Sequence, residues 1–222
     1  MKGYIQKLGV IAVALFFASS SYATVLNFDG DFANEADTNG ERALGLVATD
    51  NVFEIVGGYL VVTATGGNPY LDATSGGPGG LGVCTTIVDT QCVPGDDDNV
   101  SAGETVTLTF YSDAALTIFM TVDIHQILFR NASHGTTFAG EVEIKIDGGS
   151  STWFALTNVF NTGLVGHTFF FGFGDGFDSN DVEHFGEQFY IEKIFVPEPA
   201  TLVLFGLGLI GFGISRRKAL IR

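Results

Sequence analysis

Between Thr105 and Tyr111 the chain alternates strictly, with Val106, Leu108 and Phe110 set against Thr105, Thr107 and Thr109. A period of two is the signature of a strand with one face in a core and one in water. The pattern recurs in Glu141–Asp147, where Val142, Ile144 and Ile146 point inward and Glu143 and Lys145 outward. Helical periodicity is nearly absent from the middle of the chain. Val25–Phe28 reads as a first strand. Val52–Val56 and Tyr59–Thr65 read as a hairpin around Gly57-Gly58. Gly66–Gly82 is rich in glycine, with Pro69 and Pro78, and reads as a loop. Leu116–Ile124, Ile127–Phe129, Thr152–Leu156 and Thr168–Phe173 are further strands, with a loop over Asn131–Gly140. In Gln188–Phe195 the inner face is open, because Phe189, Ile191 and Lys193 alternate with Tyr190, Glu192 and Ile194. Short strands spaced by Gly, Asp, Asn and Ser turns predict an all-β antiparallel sandwich, jelly-roll-like in type. The 21 phenylalanines suit a thin core between two sheets.

The two ends have a different composition. Met1–Ala23 carries Lys2 and Lys7, an apolar stretch from Leu8 to Ala18, then Ser21-Tyr22-Ala23. Charged start, apolar centre and small-residue end define a cleavable signal peptide for the export machinery. At the other end, Val196-Pro197-Glu198-Pro199 leads into an uncharged run, Ala200–Ser215, and then into Arg216, Arg217 and Lys218. As a helix that run is roughly 24 Å long, short for a hydrocarbon core of about 30 Å. The basic residues of 216–222 can snorkel to head groups and mark the side kept in the cytoplasm. Thr24–Phe195 is then a domain outside the membrane, anchored through its C-terminal helix.

The order of those three C-terminal parts resembles the PEP-CTERM sorting signal, also named the ice-binding-protein C-terminal domain. The resemblance implies a substrate of exosortase, a membrane-embedded, transpeptidase-like protease of Gram-negative bacteria that also make exopolysaccharide. It implies recognition through Pro197-Glu198-Pro199 and a temporary anchor. The implied destination is the cell surface or extracellular matrix, and the implied role is structural or adhesive, in biofilm or floc. A looser resemblance to exosortase-substrate ectodomains runs through Gly80-Leu81-Gly82-Val83, Asp98-Asn99, Gly103–Phe110, Phe129–His134 and Ile146-Asp147-Gly148. It implies a β-sandwich and no particular chemistry.

Charge narrows the partners. Of 25 acidic residues, 24 lie in Thr24–Phe195, against Arg42, Arg130, Lys145 and Lys193, a balance of −20. Such a surface repels nucleic acid and anionic lipid. Cys84 and Cys92 read as a disulfide closing a small loop, with a free thiol pair as the alternative.

Two acidic loops offer the hard oxygen ligands that calcium takes. One holds Asp96, Asp97 and Asp98 with Glu104 nearby; the other holds Asp175, Asp178 and Asp181. Solvated acidic turns are the blander reading of both. His125, two residues after Asp123, shares its strand face and predicts a hydrogen-bonded pair. No Gly-x-Ser-x-Gly or His-Glu-x-x-His is present, and no enzymatic role is expected. Trp153, Tyr59, Tyr70, Tyr111 and Tyr190 offer aromatic faces for sugar rings, so a calcium-dependent carbohydrate-binding module, with exopolysaccharide as ligand, is the alternative function.

Overall fold

Strands buried on one face must meet another apolar face, and the computed structural model resolves how they do so. It describes residues 23–29, 41–46, 50–72, 79–177 and 180–197. In chain order the strands are Ala23–Asn27 (β1), Arg42–Ala43 (β2), Val52–Ile55 (β3), Gly58–Thr65 (β4), Asn68–Asp72 (β5), Gly80–Cys84 (β6), Ile87–Val88 (β7), Gln91–Cys92 (β8) and Thr105–Tyr111 (β9). There follow Val122–Asn131 (β10), Glu141–Ile146 (β11), Thr152–Ala155 (β12), Val159–Gly166 (β13), Thr168–Phe173 (β14), Gly176–Phe177 (β15), Glu183–His184 (β16) and Phe189–Pro197 (β17). The fold of the described residues is all-β, and the strand pairs within the two main sheets, β1 with β17 aside, are antiparallel. Among the described residues no helix is long and apolar enough to cross a membrane.

A seven-stranded sheet runs β13-β10-β17-β6-β5-β2, with β1 also paired to β17. A six-stranded sheet runs β12-β11-β14-β9-β4-β3. Val25–Val196 forms one compact unit, and both sheets feed one core. Leu81, Ile127, Phe129, Phe189 and Ile191 come from the first, and Leu60, Val106, Leu108, Phe110, Val142 and Phe171 from the second. Rings meet edge to face, Phe129 with Phe189 at 5.4 Å and Phe110 with Phe169 at 5.9 Å, the geometry that adds most beyond area burial.

The alternations in β9 and β11 bury the residues expected of them, with Ile146 half-buried against the core. In the β3–β4 hairpin Ile55 pairs with Gly58, so the turn is Val56-Gly57, with Gly57 at φ 82°.

Gly66–Gly82 is not the loop its composition predicts. β5 and the start of β6 lie there, paired from Asn68↔Cys84 to Asp72↔Gly80. Glycine appears in β6 because other backbone lies against it: a Cβ on Gly80 would strike the Ile191 carbonyl, and one on Gly82 the Asp98 carbonyl.

β17 resolves its own ambiguity with a bulge. Leu128 faces Lys193 while Phe129 faces Ile191, so Glu192 is an extra residue. Phe189, Ile191 and Ile194 therefore all reach the core.

Candidate functional site

Over β5, β6 and β17 the outer face of the seven-stranded sheet, opposite the core, is buried as well. Alternation turns Tyr70 and Asp72 of β5 outward while Leu71 points in, and the β17 bulge turns out Tyr190 and Glu192. All four are almost inaccessible. Asp98 and Asn99 lie across Gly82, where the missing side chain leaves room. A second small core, Ala43, Tyr70, Cys84 and Cys92 with Ile87, closes the neighbouring stretch. The Cys84–Cys92 bond is formed, with Cα atoms 5.8 Å apart.

Most polar groups trapped in this layer find each other, as burial requires, although Asn99 Oδ1 has no hydrogen-bond partner among the described residues. The Tyr190 hydroxyl donates to Asp98 Oδ1. Burial pushes the Asp98 carboxyl above its ordinary range, and the bond from Tyr190 pulls it part of the way back. Burial, and then the Asp98 bond, drive the Tyr190 hydroxyl far up, so it stays protonated. His134 Nε2 sits 3.0 Å from Asp72 Oδ2, and its ring meets Tyr190 edge-on at 5.4 Å. Arg130 Nε donates to Glu192 Oε2 at 2.7 Å, and Lys193 Nζ donates to Oε1 at 2.8 Å. The result is a tied polar layer that clamps two loops onto the sheet.

This layer gathers much of the looser ectodomain pattern. Gly80, Gly82, Asp98, Asn99, Arg130 and His134 are scattered through the sequence and meet on one face. Asp72, Tyr190 and Glu192 complete it; the sequence offers Tyr190 only as an aromatic face for sugar rings, and Asp72 and Glu192 in no site role. The signal for Tyr190 and Glu192 was the uncertain alternation of β17.

The last strand runs directly into a recognisable signal, since residues 195–218 match the PEP-CTERM protein-sorting motif. The chain carries a PEP-CTERM motif. No curated protein and no solved structure matches the chain. Of the PEP-CTERM residues, Val196 is half-buried against the core and Pro197 ends β17. Glu198, Pro199, Arg216, Arg217 and the helix expected over 200–215 lie outside the described residues, as do residues 1–22 of the expected signal peptide.

The first acidic loop does not converge as a calcium site would. Asp98 is taken by Tyr190, and Asp97 Oδ2 accepts from the Thr85 N–H at 3.3 Å. Glu104 Oε2 accepts from the N–H and hydroxyl of Ser101, both at 2.8 Å. At Asp96 it is the backbone carbonyl that is engaged, by Asn99 Nδ2 at 3.2 Å. Consecutive residues point different ways, so the Asp97 and Asp98 carboxylates meet different donors. Among the described residues, the one group of three or more His, Cys, Asp or Glu ligand atoms close enough to share an ion is Cys84, Cys92 and Asp97. Its two sulfurs are bonded to each other and offer no thiolate. In the second loop Asp175 and Asp181 are exposed, and Asp178 lies outside the described residues.

His125 Nε2 is 3.0 Å from Asp123 Oδ2, the pair that their spacing predicts. The aromatic residues divide. Tyr70 and Tyr190 are buried, and their faces are closed to any sugar. Trp153 stacks on His184 at 4.4 Å, with His184 Nδ1 held 2.8 Å from Glu141 Oε2.

Proposed function

We propose that this chain is exported through its signal peptide, anchored briefly by the helix over 200–215, and processed by an exosortase. Its acidic ectodomain, Thr24–Phe195, then serves at the cell surface or in the extracellular matrix as a structural or adhesive protein of an exopolysaccharide biofilm or floc. The observation that carries this reading is the PEP-CTERM match over residues 195–218. Two antiparallel sheets sharing one core support a jelly-roll-like sandwich for the ectodomain. A non-catalytic role is favoured by the most polar part of the fold. Arg130 is paired with Glu192 and Tyr190 with Asp98, so the buried carboxylates there are held in structural bonds.

Expression in a polysaccharide-producing host, with and without its exosortase, tests the reading. The protein is expected in the matrix fraction when the protease is present and in the membrane fraction when it is deleted. Recovery from the cytosol with Met1–Ala23 attached contradicts it.

A carbohydrate-binding role draws on the outer face of the six-stranded sheet. There Tyr59 and Tyr111 pair across β4 and β9 beside the half-buried hydroxyls of Thr105, Thr107 and Thr109. Retention on the host's own exopolysaccharide, with and without calcium, tests it; no retention in either condition removes it.

A further inference from the structure

The link between the folded domain and the apolar tail is short. β17 ends at Pro197 and the uncharged run begins at Ala200, so only Glu198 and Pro199 lie between them. Those three steps of chain, fully extended, reach about 10 Å, and Val196 is held against the core. With the helix over 200–215 as anchor, the end of the sandwich from which β17 leaves is kept at the head groups of the bilayer.

Strand register shows which residues share that end. Phe195 pairs with Gln126, and three residues further along β10 Asp123 pairs with Val165, about 10 Å past Phe195 at the usual strand rise. There β13 turns into β14 at Gly166-His167, and the His167 carbonyl accepts from the Phe110 N–H at 2.9 Å. The loop over residues 112–121 joins the near ends of β9 and β10. A Cβ on Gly58, beside the Val56-Gly57 turn, would strike the Tyr111 carbonyl. Val56, Ile118, Phe119 and Val165 therefore gather at this end, 52 %, 59 %, 54 % and 55 % exposed. The 112–121 loop is pinned. Asp113 accepts from the Thr117 hydroxyl at 2.7 Å, the Thr117 N–H at 3.0 Å and the Ile118 N–H at 2.7 Å. Phe119 stacks on Tyr111 at 5.2 Å and on His167 at 4.2 Å. Apolar groups fixed in this way lose little freedom on entering an interface.

We propose that this end of the domain docks on the zwitterionic lipid surface beside its own anchor, with Val56, Ile118, Phe119 and Val165 set among the head groups. The docking rests on the anchor proposed above. Charge selects the kind of surface. Glu54, Asp113, Asp123 and Asp147 border the patch, with His125 against Asp123 and His167 against Asp147. Those carboxylates repel a second copy of the chain and an anionic bilayer, whereas a zwitterionic head group brings an ammonium to meet them. Phe177 and Phe185 are exposed as well, but they lie beyond the far end of β14, a strand's length from the tether.

The chain purified with its tail intact from a host without exosortase, and placed in phosphatidylcholine nanodiscs, tests this. A fluorophore on Val56→Cys, Ile118→Cys or Val165→Cys is read for quenching by nitroxide-labelled lipid, with Phe177→Cys as the far-end control. The native Cys84–Cys92 pair is bonded and takes no label. Quenching is expected at the three near positions and not at Phe177→Cys, and it should fall when phosphatidylglycerol replaces part of the lipid. The Ile118→Asp, Val165→Asp pair should abolish quenching at Val56→Cys without lowering the melting temperature. A chain that stays in the discs with all three probes unquenched overturns the docking alone. One that leaves the discs overturns the anchor and the docking with it. Equal quenching at Phe177→Cys, or quenching that rises with phosphatidylglycerol or survives the aspartate pair, also overturns the docking. So does quenching that appears only when exosortase is added, which assigns this end to the protease. The three single probes decide if the aspartate variant fails to fold.

Discussion

Tyr190 donates its phenolic hydrogen to the carboxylate of Asp98, ninety-two positions earlier in the chain. That bond ties the loop after the Cys84–Cys92 hairpin to the last strand. Both groups are buried, so removing one strands the other. Tyr190→Phe is expected to cost about 1–3 kcal/mol, the penalty for an unsatisfied buried partner, read by denaturant unfolding. A change within error would show that the bond contributes nothing net.

The same pair makes stability depend on pH. Burial holds the Asp98 carboxyl above its ordinary 3.8, so between that value and the raised one the native chain keeps a proton that the unfolded chain releases. Stability from this group is full below the ordinary value and is lost as pH rises through the raised one. Asp98→Asn keeps an acceptor for Tyr190 and abolishes the titration. The difference in unfolding free energy between wild type and Asp98→Asn should therefore move against the wild type from acid to neutral pH. A difference that stays flat contradicts the assignment.

Arg130 and Glu192 form a largely buried pair. Arg130→Ala leaves Glu192 with only Lys193 and is expected to cost about 3–5 kcal/mol. Adding Glu192→Gln to that variant should restore part of the loss, because an amide costs less to bury than a carboxylate. A double variant less stable than the single one would contradict this.

Gly82→Ala should be poorly tolerated, because its methyl group would collide with the Asp98 carbonyl in a layer that has no room to shift. Gly95→Ala is the matched control, since nothing lies within 4 Å of a Cβ there. Thermal unfolding of both variants checks the contrast; equal losses would mean that the loop does not rest on Gly82.

The Cys84–Cys92 bond closes a loop with a sequence separation of 8. By chain entropy, losing it through a Cys84→Ser, Cys92→Ser pair is expected to cost about 2–3 kcal/mol. The midpoint of urea unfolding, compared with that of the oxidised wild type, measures it, and the reduced wild type should match the variant; no shift would show that the hairpin holds without the bond.

Strands that bury one face were legible in the sequence: β9 and β11 lie where their alternation puts them, and β14 where a strand over Thr168–Phe173 was expected. Strands buried on both faces were not. β5 and β6 carry Pro69, Gly80 and Gly82, residues that mark loops elsewhere, because neighbouring backbone needs the space that side chains would fill. β13 escaped for another reason: Asn161, Thr162 and Gly163 break its period where the bulge lies. Tyr190 and Glu192 could be placed on a strand but not on a face, since the extra residue in β17 depends on its pairing with β10. The acidic loop at Asp96–Asp98 was visible as charge, yet charge alone did not show that Asp98 faces a tyrosine from the far end of the chain.

Intact mass analysis of the chain from an exosortase-bearing host is the most direct measurement of its processing. Val196 packs on the core and β17 lies between β10 and β6, so a cut that spares the fold falls after Val196. The expected product begins at Thr24, ends just beyond Val196 and lacks residues 200–222. A chain that keeps Arg222 when the protease is active, or that ends inside β17, contradicts the account.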